Sequence, residues 1–173
     1  VQTETRSELP AVMVVQPDGG EHYWQPVPAN GHINVRLAPH IVEMTHRFGL
    51  GTQTVAAGCY VREHTHPDHD EVIHIVSGTG RTVLNGEEHR LVPGASVYIG
   101  RTNRHMFVAD EGCDLTFVWF LMPNGLETFF KAIGRPMKPG EPAPAPFPRP
   151  ADVLEIERAT VFGEPLVDTF AKS

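Results

Sequence analysis

Between Gly58 and Gly78 the chain sets His64 and His66 two residues apart, follows them with the turn-forming Pro67-Asp68-His69-Asp70, and opens the next apolar run on Glu71. On an extended strand, residues two apart project from one face, so both imidazoles converge on a single point. The turn folds the second strand back beside the first and brings a carboxylate to the imidazole pair. A segment with this pattern constrains the fold strongly. It needs paired short strands whose inner face carries polar ligands at the rim and apolar residues beyond them. By alternation from Glu71, Ile73 and Ile75 also face inward, whereas His74 faces the outside of the sheet. His69 lies in the turn and reads as a solvated turn residue. Tyr60 and Arg62 share the face of His64 if the strand is regular. Both are candidate substrate contacts, and Cys59 lies on the opposite face. A guanidinium turned into an apolar cavity requires an anionic partner, so Arg62 implies an acidic ligand or a neighbouring Glu.

The remainder of the central region repeats the short-strand pattern. Gly80–Leu84 and Glu87–Val92 flank Asn85-Gly86, a dipeptide that suits a tight hairpin turn. Ser96–Ile99, His105–Val108 and Asp114–Met122 are further strands, with Phe117 and Trp119 assigned to core packing. Breaks are expected at Ala38-Pro39-His40 and Gly49-Leu50-Gly51. Upstream, Pro10–Val15 can form a strand, and the turn-rich Glu21–Gly31, with Tyr23 and Trp24, reads as an arm packed on something. Residues 1–9 are polar and expected to fray. Downstream, Leu126–Gly134 has helical periodicity ending on glycine. Prolines at 136, 139, 142, 144, 146, 148 and 150 then define an extended arm, expected to wrap on its own barrel or on a dimer partner. A second short helix is expected over Ala151–Arg158. The resulting division is an N-terminal arm with an edge strand at 1–32, a barrel at 33–122, and a C-terminal extension at 123–173.

The interval Gly, five residues, His, one, His, four, Glu, six, Gly (Gly58, His64, His66, Glu71, Gly78) resembles the first signature motif of the cupin superfamily without departure. The family's second motif is matched in part by Gly94 to His105. Gly100 stands for the family's proline, Thr102 for its second glycine and Ala109 for its late asparagine. The resemblance covers about residues 40–122. It implies an all-β double-stranded β-helix, or jelly-roll barrel, with His105 as a fourth ligand beside His64, His66 and Glu71. By period two from His105, Phe107 faces inward and joins Tyr60, Arg62 and Ile73 as a candidate substrate contact. The implied cofactor is one divalent transition metal per chain. Fe(II) is favoured, and Mn, Ni, Zn or Cu are compatible with a mixed N/O donor set. The helix at 126–134 is similar to the one that follows the barrel in quercetinase-like single-domain cupins. The leading functional expectation is therefore a dioxygenase acting on a small enolisable or hydroxylated aromatic substrate. The alternatives are a non-redox decarboxylase, isomerase or lyase using the same ions, and a small-molecule-binding cupin without turnover.

With a net charge of −7, the surface lacks the positive excess that nucleic-acid or anionic-membrane binding requires. The longest apolar run, Leu115–Met122, is too short to cross a bilayer as a helix. A cytoplasmic protein with a small anionic or enolisable substrate is expected, along with free thiols at Cys59 and Cys113 and a homodimer joined through the aromatic arm and outward apolar strand residues.

Overall fold

The computed structural model describes residues 9–170. Strands β1 (Glu21–Trp24), β2 (His32–Leu37), β3 (Gly49–Val55), β4 (Tyr60–His64) and β5 (Asp70–Ser77) are followed by β6 (Gly80–Leu84), β7 (Glu87–Leu91), β8 (Ser96–Ile99), β9 (His105–Ala109) and β10 (Leu115–Met122). Helix α1 (Leu126–Ile133), the short β11 (Arg135–Pro136) and helix α2 (Val153–Ala159) complete the order. The strands form two antiparallel sheets, one ordered β11-β1-β2-β3-β10-β5-β8 and the other β4-β9-β6-β7. Their facing sides enclose the core, giving the jelly-roll barrel expected from the strand pattern.

β10 shows how period two builds this core. Leu115, Phe117, Trp119 and Leu121 are buried in alternation, each at 1% exposure or less. On β5, Glu71, Ile73 and Ile75 are buried while Val72, His74 and Val76 are exposed. Between β6 and β7, Asn85 (φ 51°) and Gly86 (φ 89°) both take the left-handed conformation that a tight hairpin turn demands.

Two expectations are corrected. Gly49-Leu50-Gly51 does not break the chain but opens β3, paired with Leu121 and Trp119 of β10. The glycines are there because neighbours crowd both positions: the Asn34 carbonyl and the indole of Trp119 at Gly51, and the Glu127 carboxylate and the same indole at Gly49. A Cβ on Gly51 would stand 2.6 Å from Trp119 Cζ2, and one on Gly49 3.0 Å from its Cζ3. Pro10–Val15 forms no strand: Val12 and Val14 are 89% and 80% exposed, and no neighbouring strand pairs with them. The Arg36 guanidinium instead donates to the carbonyls of Val15 and Gln16, both at 2.7 Å. The first strand is Glu21–Trp24 within the turn-rich arm, and it pairs with both β2 and β11. The frayed terminus expected over residues 1–9 lies, apart from Leu9, outside the described residues.

Beyond the barrel, α1 buries Leu126, Phe129, Phe130 and Ile133, its apolar face, toward the barrel interior. The Glu127 carboxylate accepts from Gly125 N at 2.8 Å, satisfying an N-terminal amide. The proline-rich segment wraps on its own barrel. Val27 N donates to Phe147 O at 2.9 Å, the Phe147 ring is buried, and the Arg135 guanidinium carbon lies 3.9 Å from that ring's centroid. Among the described residues no helix is long and apolar enough to cross a membrane.

Candidate metal centre and its cavity

Both sheets contribute to one polar cluster. His64 ends β4, His66 follows in the connecting loop, Glu71 is the second residue of β5, and His105 is the first of β9. A register irregularity between Val61 and His64 brings His64 directly opposite His105. One nitrogen or oxygen from each of the four side chains lies within 4.8 Å of all the others. Glu71 Oε2 is 3.0 Å from His105 Nε2 and 3.7 Å from His66 Nε2.

The outward ring nitrogens are all engaged with backbone carbonyls. Nδ1 of His64 lies 2.7 Å from Arg62 O, that of His66 2.9 Å from Val161 O, and that of His105 2.9 Å from Asn103 O. A carbonyl can only accept, so each Nδ1 carries the proton and each Nε2 presents a lone pair to the cluster. Two consequences follow. The 3.0 Å approach of His105 Nε2 to Glu71 Oε2 has no proton between its atoms. Nε2 of His66, Nε2 of His105 and Oε2 of Glu71 are also buried without a hydrogen-bond partner. Inward lone pairs packed this closely repel one another, and a divalent cation in their midst removes the repulsion. Imidazoles fixed by carbonyls on their far nitrogens are the arrangement metal-binding histidines adopt. The four residues thus fit a transition metal.

The electrostatics agree. Burial, reinforced by His105 and His66, holds the His64 imidazole well below its ordinary pKa, so it stays neutral and able to ligate. Burial likewise lowers His66, with Glu71 pulling the other way. Lone pairs on three ring nitrogens and the Glu71 carboxylate thus face one another.

Above the cluster lies a cavity of about 90 Å³, lined by Glu71 and His64 at its base. At roughly 10–15 Å³ per water, it holds the equivalent of about six to nine waters. Tyr60, Arg62 and Phe107 line it, but so do Val61 and Glu63: the irregularity between Val61 and His64 breaks the alternation on which the expectation for Tyr60 and Arg62 depended. Ile73 does not: it is fully buried in the core, opposite Trp119 and Val97, and is corrected from substrate contact to packing residue. Alternation had placed it on the correct face but one layer too deep. His69 is also corrected. It is half-buried with its Nδ1 shielded from solvent, and its ring centroid is 6.1 Å from that of His66. His74 is exposed and bonds Ser96 Oγ at 2.8 Å. Cys59 and Cys113 are free thiols, and Cys59 packs against the core.

Much of the remaining wall comes from the C-terminal extension, where the periodicity of residues 126–134 marked the helix but nothing local marked the segment after α2. Phe129 and Phe130 of α1 face the cavity, as does Phe162, whose ring centroid is 5.2 Å from His64, 5.0 Å from His66 and 4.4 Å from Phe129. Gly163 N donates to Thr65 O at 2.9 Å, pinning this segment to the barrel loop that carries His66. Gln53 and Gln25 also line the cavity, but they bond one another at 2.7 Å.

Residues 51–121 match the family model for the Cupin domain. A sugar phosphate isomerase of the cupin superfamily from Silicibacter pomeroyi superposes with a TM-score of 0.53 at 21% identity, covering 64% of this chain and 75% of that one. KdgF from Halomonas sp. superposes with a TM-score of 0.50 at 24% identity, covering 58% of this chain and 84% of that one. At these identities the likeness is one of fold. In sequence, 75 residues are 35% identical to the tetracenomycin polyketide synthase protein TcmJ of Streptomyces glaucescens, or 43% of this chain and 50% of that protein. The chain spans half or less of the length of the curated relatives it matches.

Proposed function

We infer that this chain, a member of the cupin superfamily, is a metal-dependent oxygenase acting on a small enolisable or hydroxylated aromatic substrate. One observation carries this reading: the wall over the ligand cluster is aromatic, built from Phe107, Phe129, Phe130 and Phe162. Against these rings a polyhydroxylated body would leave hydroxyls without hydrogen bonds, whereas a flat, largely apolar one would lose few. The likeness in sequence to a polyketide synthase protein, over half of its length, points the same way.

His64, His66, Glu71 and His105 would hold the ion, with Fe(II) the best match among those their donors suit. Such an ion, when bound, supplies Lewis acidity toward a substrate enol and redox access to dioxygen. The chain's own contributions are structural and electrostatic. The carbonyls of Arg62, Val161 and Asn103 fix the tautomers and aim each Nε2 inward. Glu71 stays ionised and neutralises part of the cation's charge. The four phenylalanines exclude water from the reacting atoms and orient a planar substrate by its faces.

Anaerobic loading with Fe(II), followed by oxygen uptake with a panel of diketones and hydroxylated aromatics, tests the reading. Stoichiometric oxygen consumption with a bound substrate is expected. Turnover without oxygen would replace the reading by a non-redox one. Tight binding without turnover under any condition would identify a binding protein.

A further inference from the structure

A compact charge network lies between the cavity and the outer surface. Arg62 and Arg149 face Glu157 and Asp168. Glu157 Oε1 is 2.7 Å from Arg149 Nη1 and 3.6 Å from Arg62 Nη1, while Asp168 Oδ2 is 3.8 Å from Arg62 Nε and accepts from Tyr60 OH at 2.9 Å. Among these four groups two cations face two carboxylates, and Asp168 Oδ1 also accepts from Phe170 N at 3.2 Å. The two acids are held differently. Glu157 sits within α2, is buried, and has a close bond to Arg149. Asp168 belongs to the segment after α2, which adds no strand to either sheet. Its distance to Arg62 Nε is too long for a hydrogen bond, and that Nε is buried without a hydrogen-bond partner.

Tyr60, Arg62, Arg149, Pro165 and Leu166 line both the inner cavity and an outer groove of about 540 Å³. Asp168 lines only the groove. The network is thus the partition between them. If Asp168 withdraws, Arg62, Arg149 and Glu157 retain one net positive charge, with the Tyr60 hydroxyl and the unpartnered Arg62 Nε facing the space it leaves. That space takes one carboxylate.

We propose that Tyr60 and Arg62 form a carboxylate-binding subsite, that Asp168 fills it in the closed chain, and that the ligand is a small aromatic acid whose carboxylate displaces Asp168. The inference deepens the reading of the cavity as a substrate site, adding an anionic group to the aromatic body that the phenylalanine wall accepts. Exchange of one carboxylate for another keeps the network neutral, so a neutral analogue cannot displace Asp168 without leaving a guanidinium uncompensated. Burial together with the Asp168 carboxylate raises the Tyr60 pKa to about 12, so its hydroxyl remains a donor throughout the working pH range.

The test is calorimetric titration of the metal-loaded full chain with benzoate and with its neutral counterpart benzamide. Benzoate is expected to bind more tightly. Asp168→Asn keeps the side-chain shape but removes the internal competitor, and should tighten benzoate about tenfold while leaving benzamide unchanged. Arg62→Gln should abolish the preference for benzoate. If Asp168→Asn leaves benzoate binding unchanged or weaker, or if the preference survives Arg62→Gln, the proposal is overturned. No turnover enters these measurements, so absence of oxygen uptake would overturn the oxygenase reading without touching this one. Loss of benzoate selectivity alongside normal oxygen uptake would do the reverse.

Discussion

The barrel and the C-terminal extension meet over the same cavity but contribute by different means. The barrel supplies three of the four clustered side chains from fixed ladder positions, with His64 opposite His105 across one sheet and Glu71 opposite Leu121 and Ile99 in the other, and His66 from the loop between β4 and β5. The extension supplies Phe162, Glu157, Asp168 and the Val161 carbonyl from a short helix and an irregular segment. A ladder residue moves only if its sheet deforms, whereas a docked segment can lift away at the cost of its own contacts. On the proposed function, metal chemistry would belong to the rigid part, and access and selectivity to the part that can move.

This division can be broken most directly at His66. His66→Ala should abolish stoichiometric metal binding, measured by metal analysis of protein purified without added ions, while the thermal transition stays cooperative. Phe162→Ala should keep its metal. If both variants lose it, the barrel and the extension are not separable. The next largest effect is on stability. Trp119→Ala, between the sheets, should cost about 3–5 kcal/mol in urea unfolding, and Phe147→Ala, on an arm that can peel back, about 2 kcal/mol or less.

Acidity tests the cluster itself. His64 and His66 have folded pKa values below the ordinary 6.5, so the unfolded chain binds more protons in that range. Their contribution to the metal-free protein is present above pH 6.5 and is lost as pH falls below it toward the lowered values. Urea midpoints from pH 8 to 4 should fall along this course, and a midpoint that rises on acidification would contradict the neutral-imidazole cluster. The smallest effect sharpens the comparison from the other side. A side chain on Gly163 would collide with Thr65 Oγ1, so Gly163→Leu should speed proteolysis within residues 160–170 severalfold and lower metal affinity by about tenfold.

The barrel was readable because its signals are local and periodic. Five fixed positions from Gly58 to Gly78 and the Asn85-Gly86 turn each specify geometry within a few residues. Where neighbours in space decide, sequence reading failed. Gly49 and Gly51 read as a break because Trp119, which crowds both, lies about 70 residues away. Pro10–Val15 has strand composition but no strand to pair with. Arg62 was expected to need an acidic ligand or a nearby Glu, and Glu157 of α2 supplies the second. Nothing near Phe162 or Asp168 in sequence marks the first as a wall of the cavity or the second as a wall of the outer groove, because their placement arises only when the segment docks.

The bond from His66 Nδ1 to the Val161 carbonyl ties two equilibria together. A single interaction that strengthens the ligand and also seats the segment must couple them reciprocally, by the same factor in each direction. Metal loading should therefore protect residues 160–170 from cleavage, and lifting that segment should speed the ion's escape. An ion bound in the cluster and the docked segment would act as mutual effectors, so lifting the segment would also weaken the hold on the metal.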